Sequence, residues 1–470
     1  MKQGTAYRSV VKNAAYIFLI KLFPAIAFFA VTILYSRELP RGYYGDYQNF
    51  WVKLLLLGTL AYAGLPVTLI TYSAGVIKYL YEQLRSKHLV MYVGWLVCCC
   101  ILFAYLQFTG LGLTVMLSIG LLVMYVMHAV QEALLMAAKN MKLLVIFNFL
   151  YALYFLFIHI QALADYHLEK LLWYLLAGMV VRGVLLAMII YIAYGRIAAE
   201  SLQGVATNKV RNLWLHLGAY DLMQNIFRFM DKFILSMLLS SGLYAIYYNG
   251  AHEIPFLPYL LGAVSSSVLV QLAGRNKEFT DNSHVLMYES GKLLSSIVFP
   301  LFFFLLFFSR ELFTVVFTEK YLPSVPIFIM MLLLLPLRAY NYTTILQHHH
   351  KGAIINKGAL LDLLLALALM YPMYKMLGLP GIALSFVIST YLQVAYYLHH
   401  ASNITGVPVT QLLPFRNWLI KLILFGGMLF VLSYFLPASL GAKTVLVVGA
   451  LCGALLSMIS FFLELRRHKH

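Results

Sequence analysis

The stretch LVMYVGWLVCCCILFAYLQFT, residues 89–109, contains no charged side chain and decides the fold class. A helix of this length rises about 30 Å, which is the thickness of the hydrocarbon core of a bilayer. Similar apolar blocks recur along the 470 residues, of which 62% are hydrophobic and only 11% are charged. Soluble domains carry about a quarter charged residues. The sequence therefore predicts an all-α polytopic membrane protein.

The apolar blocks, divided at their polar breaks, predict about fourteen transmembrane spans. We number the spans in chain order: 14–36, 51–75, 89–109, 111–138, 143–164, 172–195, 213–240, 243–273, 287–308, 325–346, 359–376, 381–401, 415–436 and 443–464. Every loop between them is short, so no extramembrane domain is available for catalysis. This argues against an enzyme, and a membrane-embedded glycosyl-transfer enzyme is the alternative from a different class.

Most basic side chains fall on one side of the predicted membrane. With the N-terminus inside, about nineteen Lys and Arg lie in the inner loops and tails and about seven in the outer loops. Because cytoplasmic loops carry the excess of Lys and Arg, both termini are predicted to be cytoplasmic. The net charge of +17 is then mainly an orientation signal and does not indicate a nucleic-acid partner. The four cysteines lie inside apolar spans, and we predict no metal site and no cofactor.

A short motif recurs after spans 1 and 7. Residues 42–49, GYYGDYQN, and residues 242–249, GLYAIYYN, share one Gly, two Tyr and one Asn at an offset of 200 residues. Six spans separate the copies, so both have the same orientation, as in transporters built from parallel repeats. We predict two six-helix lobes, residues 1–200 (spans 1–6) and 201–402 (spans 7–12). Spans 13 and 14 with a cytoplasmic tail, residues 403–470, are an addition.

Three segments resemble the polysaccharide-unit flippases, of the O-antigen type, in the multidrug, oligosaccharidyl-lipid and polysaccharide exporter superfamily. They are ILYSRELPRGYYGDYQNF (33–50), AGLPVTLITYSA (63–74) and FMDKFILSMLLSSGLYAIYYNG (229–250). Members of that family similarly carry an Asp in helix 7 and Pro in helices 2 and 8, which correspond here to Asp231, Pro66 and Pro255.

This resemblance implies a flippase that moves undecaprenyl-pyrophosphate-linked oligosaccharide from the cytoplasmic to the periplasmic leaflet of a bacterial inner membrane. It implies two lobes around a polar cavity with alternating access, a role in cell-surface polysaccharide synthesis, and polysaccharide polymerase machinery as a partner beside the lipid bilayer. A cation-coupled multidrug exporter of the same superfamily is the alternative.

Ionisable residues within spans indicate where such a cavity lies. Each costs about 2.5 to 3.5 kcal/mol at the bilayer centre on insertion scales, so these side chains should face water or one another. The candidate substrate-binding cations are Lys21, Lys53, Arg182, Arg228, Lys232 and Arg338. The candidates for a coupling ion or an internal network are Asp221, Asp231, Glu253 and Asp362. The candidate polar or aromatic cavity residues are Tyr47, Asn225, Tyr247 and Asn249.

Span 7 carries the densest polar face. Asp221, Asn225, Arg228 and Lys232 follow helical spacing and form one stripe. Either the two cations attract phosphate, or Arg228 pairs with Asp221 or Asp231 in a network.

The other cations also leave alternatives open. Lys21 lies well inside span 1, and this depth favours a role in the cavity. Lys53 lies near the end of span 2, and this position favours snorkelling of its ammonium to the interface. Arg182 suits either a cavity or helix packing. Coupling to Na⁺, to H⁺ or to the membrane potential alone stays open, since an outward-moving anion gains about 2.3 kcal/mol per charge per 100 mV.

Overall fold

A computed structural model of the chain describes residues 2–83, 86–200, 207–252, 283–349, 351–436 and 440–467. Within these ranges the chain consists of α-helices, two short 3₁₀ helices and turns, and contains no β-strand. The predicted all-α class is confirmed.

Ten helices form the first part of the chain. They are α1 (Lys2–Glu38), α2 (Arg41–Tyr62), α3 (Leu65–Leu69), α4 (Ala74–Glu82), α5 (Ser86–Leu111), α6 (Val115–Ala137), α7 (Met141–Gln161), α8 (Leu168–Gly195), α9 (Thr207–Leu238) and α10 (Ser241–Gly250).

The helices of the second part follow residue 282. They are α11 (Ser283–Phe307), α12 (Ser309–Val316), a 3₁₀ helix (Glu319–Ser324), α13 (Val325–Leu332), a 3₁₀ helix (Pro336–Ala339), α14 (Thr344–His348), α15 (Gly352–Leu377), α16 (Leu379–Thr405), α17 (Val409–Leu412), α18 (Phe415–Phe435) and α19 (Ala442–Arg467).

The helices pack into two compact units, Met1–Ala245 (unit 1) and Ile246–His470 (unit 2). In unit 1, α2 packs against α5, α6 and α9, while α7 packs against α1. In unit 2, α11 packs against α18 and α19, and α15 pairs with α16. The lobe boundaries at residues 200 and 402 stay a prediction.

Eleven described segments are long and apolar enough to cross a membrane, so the chain is a multi-pass membrane protein. Their outer faces carry large apolar side chains such as Met91 and Ile101 on α5 and Ile423 on α18, each more than half exposed. Such faces are stable because lipid tails surround them. The helices of predicted spans 2 and 7, α2 and α9, are not among the eleven. Both carry polar and charged side chains along their length, and the span count of fourteen stays a prediction.

The prediction of one continuous span 2, residues 51–75, was wrong. The helix begins ten residues earlier, at Arg41, and ends at Tyr62, because Ala63 and Gly64 adopt left-handed φ angles of 51° and 70°. A Cβ on Gly64 would lie 2.1 Å from the Cα of Gly218 on α9, so the break lets the two backbones meet. Trp214 on α9 donates to the Ala63 carbonyl at 2.7 Å and satisfies an acceptor that the broken helix frees.

Predicted span 10, residues 325–346, is also interrupted. It consists of α13, the 3₁₀ helix Pro336–Ala339 and the short helix α14. Pro336 has no N–H to donate and clashes with the preceding turn, which explains why a regular helix does not continue. Most of predicted span 8, residues 243–273, lies outside the described residues.

The internal repeat is visible in the backbone. Helix α1 ends at Glu38 and α2 starts at Arg41, while α9 ends at Leu238 and α10 starts at Ser241, again 200 residues apart. The side chains of Ser36 and Ser236 each donate to the carbonyl three residues earlier, at 2.7 Å. The two helix-to-helix corners therefore have the same local structure.

Candidate functional site in the polar interior of unit 1

The two repeated corners contact each other. The Ser241 hydroxyl donates to the Asp46 carboxylate, and Asn49 donates through Nδ2 to the Ser236 carbonyl at 3.2 Å. The Ser241 backbone lies so close to Gly45 that an added Cβ would meet its carbonyl oxygen. The corner motif found in the sequence thus forms a close helix contact, which requires a residue without a side chain at position 45.

Helices α1, α2 and α9 bring a polar group of side chains together. Lys21, exposed on α1, acts electrostatically on the Asp221 carboxylate of α9, and the Tyr62 hydroxyl of α2 lies close to the same carboxylate. Asn225, one turn further along α9, donates to the Asp221 backbone carbonyl at 2.9 Å and lies 3.4 Å from its carboxylate. No acid lies within a helical turn of Lys21 on α1, so only the tertiary structure reveals that Asp221 is near enough to interact with it electrostatically.

The predicted stripe on α9 divides into two environments. Arg228 is exposed, with its guanidinium carbon 5.4 Å from the centre of the Phe229 ring. Lys232 is only 6% exposed and forms an ion pair with its neighbour Asp231, at 3.1 Å between Nζ and Oδ2. Arg228 is therefore accessible to solvent or ligand and Asp221 and Asn225 are half-buried, whereas Lys232 and Asp231 belong to the packed interior.

Arg182 on α8 lies in a network of buried side chains. Its Nη2 atom is 2.6 Å from the Glu132 carboxylate on α6 and 2.6 Å from the Asn148 amide oxygen on α7. The guanidinium also stands 4.9 Å from the Tyr151 ring centre. Asn148 in turn donates to the Ile20 carbonyl on α1 at 3.0 Å. This arrangement matches the helix-packing interpretation of Arg182.

Glu132 is a partner that the sequence analysis did not include. The sequence did contain an indication of this role, because an acid in the middle of an apolar span needs a basic partner or water. Two further polar side chains of α6 reinforce the junction with α8: His128 donates to the Met179 carbonyl at 2.9 Å, and Gln131 donates to the Gly183 carbonyl at 2.8 Å. Four helices are thereby joined beside Lys21 by hydrogen bonds and one ion pair.

Lys53 on α2 is only 2% exposed. A Cβ on Gly110, at the end of α5, would lie 2.9 Å from its Nζ atom, so the ammonium reaches towards the corner end of the unit. Asp46, two turns earlier on α2, acts on Lys53 electrostatically. The ammonium is therefore buried against the end of α5 rather than in solvent, and both the snorkelling and the substrate-binding interpretation of Lys53 stay predictions.

Tyr47 is fully buried rather than part of an open wall. Its hydroxyl contacts His159 Nε2 at 3.0 Å, and its ring packs edge-on against Tyr35 at 4.9 Å between centres. Its repeat counterpart Tyr247 is also fully buried, and Asn249 is 1% exposed. All three residues are therefore buried in this structure, and their role in a cavity stays a prediction.

Unit 2 contains two other predicted residues that the structure describes. Arg338 is exposed on the 3₁₀ helix Pro336–Ala339, not on a continuous span. Asp362 on α15 is 1% exposed, and its Oδ1 atom has no hydrogen-bond partner among the described residues. The hydroxyls of Ser389 and Thr390 on α16 lie close to this carboxylate. Glu253 lies outside the described residues.

A second buried ion pair, in unit 2, was missed entirely by the sequence analysis. Lys421 on α18 lies 3.1 Å from Glu464 on α19, and both side chains are less than 8% exposed. The Lys421 ammonium also donates to the Lys292 carbonyl at 2.6 Å and to the hydroxyl of Ser296 at 2.8 Å. These contacts attach predicted spans 13 and 14 to α11.

The surroundings of Lys21 can hold an anionic group. Lys21 on α1 and Arg228 on α9 are both exposed cations, and each can donate charge-assisted hydrogen bonds to phosphate. Asp221 and Asn225 add an acceptor and an amide donor for hydroxyl groups. The nearby Arg182 network holds the supporting helices in place, and Arg182 Nη2 donates to two protein groups, Glu132 and Asn148.

Comparison with known proteins identifies the fold and the family. Residues 88–326, just over half of the chain, match the family described as polysaccharide biosynthesis protein. No curated protein sequence matches the chain.

Two solved structures share the fold. The lipid II flippase MurJ in an inward-closed conformation superposes with a TM-score of 0.68 at 16% identity, covering 98% of this chain and 100% of that one. An inward-facing multidrug resistance MATE transporter of the MOP superfamily superposes with a TM-score of 0.56 at 15% identity, covering 84% and 98%. The superfamily resemblance found in the sequence is confirmed, and the chain belongs to the polysaccharide biosynthesis protein family.

Proposed function

We propose that this protein is a flippase that carries a polyprenyl-pyrophosphate-linked oligosaccharide from the inner to the outer leaflet of a bacterial inner membrane by alternating access. The observation that carries the proposal is the exposed Lys21 inside a membrane-spanning helix, within electrostatic range of Asp221 on α9. An exposed cation at this depth is stable where water or an anionic ligand reaches it. Membership of a polysaccharide biosynthesis family supports a glycan as the cargo.

The physical chemistry of the cargo fits these side chains. Lys21 would bind a phosphate oxygen, while Asp221 and Asn225 would bind sugar hydroxyls. Outward movement of an anion from a negative interior gains about 2.3 kcal/mol per net charge at 100 mV, so the potential favours export. A coupling cation is an additional proposal, with Asp362 as its ligand, because a buried carboxylate beside two hydroxyls offers oxygen ligands of the kind that Na⁺ binds.

The test is mass spectrometry of lipid-linked glycans in a strain lacking the gene. We expect polyprenyl-linked oligosaccharide to accumulate and surface polymer to disappear. Wild type should restore both, whereas Lys21→Gln should lower surface polymer about tenfold, the effect of one lost charge-assisted hydrogen bond. Lys142→Gln is the matched control, since Lys142 is an exposed cation at the start of α7. Normal polymer and unchanged intermediates in the deletion strain would exclude this function.

The second candidate is a cation-coupled multidrug exporter, which the shared MATE fold supports. A bulky cationic dye that leaves wild-type cells faster than deletion cells, with surface polymer unchanged, would favour it. The flippase proposal also includes the polysaccharide polymerase machinery as a partner. Co-purification from membranes tests that part separately.

A further inference from the structure

A cavity lies at the end of unit 1 where the two helix-to-helix corners meet, and Lys21 is not among its lining residues. Its volume is about 450 Å³, and the side chains that matter for its chemistry are Tyr43, Asp46, Tyr166, His167 and Ser241. These come from α2, from the loop between α7 and α8, and from the start of α10. Under the predicted orientation, with both termini cytoplasmic, this end of the unit would face the periplasm.

The cavity offers both hydrogen-bond donors and acceptors. The Tyr166 hydroxyl is buried and has no hydrogen-bond partner among the described residues. Burial raises the pKa of Tyr166, so the hydroxyl keeps its proton and can donate. Asp46 accepts a hydrogen bond from Ser241 and has lone pairs left for a ligand, and the His167 side chain is 69% exposed.

The charged groups around the cavity include both acids and bases. The Asp46 carboxylate lines the cavity, and the Lys53 ammonium lies behind Gly110, which is part of the wall. At the rim, Asp165 lies 3.1 Å from both Lys170 and His167. The hydrogen bond from Lys170 holds the pKa of Asp165 below its usual value. The Asp46 carboxylate would repel an anion, and the Lys53 ammonium would repel a cation. A neutral ligand rich in hydroxyl groups therefore fits better than either.

Two aromatic rings add an apolar surface. Tyr43 is 54% exposed, and its ring centre lies 5.7 Å from that of Tyr166, at an angle of 39°. Rings of this kind cover the C–H face of a sugar while side-chain oxygens bind its hydroxyls. A cavity of 450 Å³ exceeds the volume of a single hexose and lies within the usual range of ligand pockets.

We propose that this corner cavity is a carbohydrate-binding site that holds one sugar ring. The source of the sugar rests on the proposed function, under which it is the glycan of the transported lipid after it reaches the outer face. The binding itself does not require transport, so the two can fail independently.

The experiment uses the purified full-length chain in lipid nanodiscs. Saturation-transfer NMR is recorded with the neutral sugars glucose and N-acetylglucosamine and with inorganic phosphate as separate probes. We expect at least one of the sugars to bind saturably and phosphate not to displace it. Tyr166→Phe and Asp46→Asn should each weaken that sugar's binding about tenfold, the usual effect of losing one good hydrogen bond.

Tyr154→Phe is the matched control. Tyr154 lies elsewhere in unit 1, on α7, and its hydroxyl donates to the Tyr174 carbonyl at 2.5 Å. Unchanged sugar binding in this variant supports the proposal. Absence of saturable binding by every sugar, displacement by phosphate, or equal binding in Tyr166→Phe and Asp46→Asn would overturn it. Sugar binding in a protein whose deletion leaves surface polymer intact would contradict the proposed function while leaving this site in place.

Discussion

Arg182 and Glu132, on two different helices of unit 1, form an ion pair with 2.6 Å between Nη2 and Oε1. Arg182 is 9% exposed and Glu132 is 28% exposed, so neither charge has free access to bulk solvent. Removing one partner of such a pair leaves the other charge without compensation, and that loss costs more than the pair contributes.

We expect Arg182→Met to lower the free energy of unfolding by about 2 to 3 kcal/mol, somewhat less than for a fully buried pair. The double variant Arg182→Met, Glu132→Leu should recover most of that loss, because no unpaired charge remains. Unfolding of the purified protein in SDS measures both values. If Arg182→Met keeps full stability yet loses transport, Arg182 binds substrate rather than supporting the helices.

Gly45→Ala should destabilise the corner contact. The added Cβ would overlap the Ser241 carbonyl oxygen, and backbone atoms on both sides leave no flexible group to move. Overpacking of this kind costs about 1 to 3 kcal/mol.

The control is Gly42→Ala, on the same helix, where nothing lies within 4 Å of the new Cβ. It should be neutral or gain about 0.5 to 1 kcal/mol from helix propensity. A melting-temperature comparison in detergent tests the pair, and equal stability of the two variants would argue against the close approach.

Lys421→Met should loosen the attachment of α18 and α19 to α11. The variant removes the ammonium group and leaves Glu464 buried without its cation, although Asn417 still donates to that carboxylate at 2.7 Å. Hydrogen–deuterium exchange should rise in α18 and α19 and not in α5 or α6. Lys443→Met, at an exposed position near the start of α19, should change neither region.

Asp362→Asn tests the proposed coupling ion. If Na⁺ binds this carboxylate, replacing KCl by NaCl at equal ionic strength should raise the melting temperature of the wild type by a few degrees. Each kcal/mol by which the bound ion stabilises the fold corresponds to about 2 to 4 °C. Asp362→Asn should abolish the rise, and Glu82→Gln, at the exposed end of α4, should keep it. A wild type with equal melting temperatures in both salts would contradict Na⁺ coupling.

The sequence alone determined the membrane class and the places where most helices begin and end. Long apolar blocks force helices, because a backbone in lipid must satisfy its own hydrogen bonds, and helices such as α5, α16 and α18 begin and end within a few residues of the predicted limits. The repeat was readable for a similar reason: the two corners at Pro40 and Ser240 follow from local residues at a constant spacing.

Tertiary structure decided which charges meet. Arg182 and Glu132 are 50 residues apart, and Lys421 and Glu464 lie on different helices of unit 2. Helix periodicity gives the face of each residue but not the neighbouring helix, so it could not pair them. The break at Ala63 and Gly64 also depends on a neighbouring helix, since Trp214 and Gly218 from α9 stabilise the left-handed turn. Lys21 shows both contributions: the sequence placed it deep in an apolar span, and only the tertiary structure brings it within electrostatic range of Asp221 on α9.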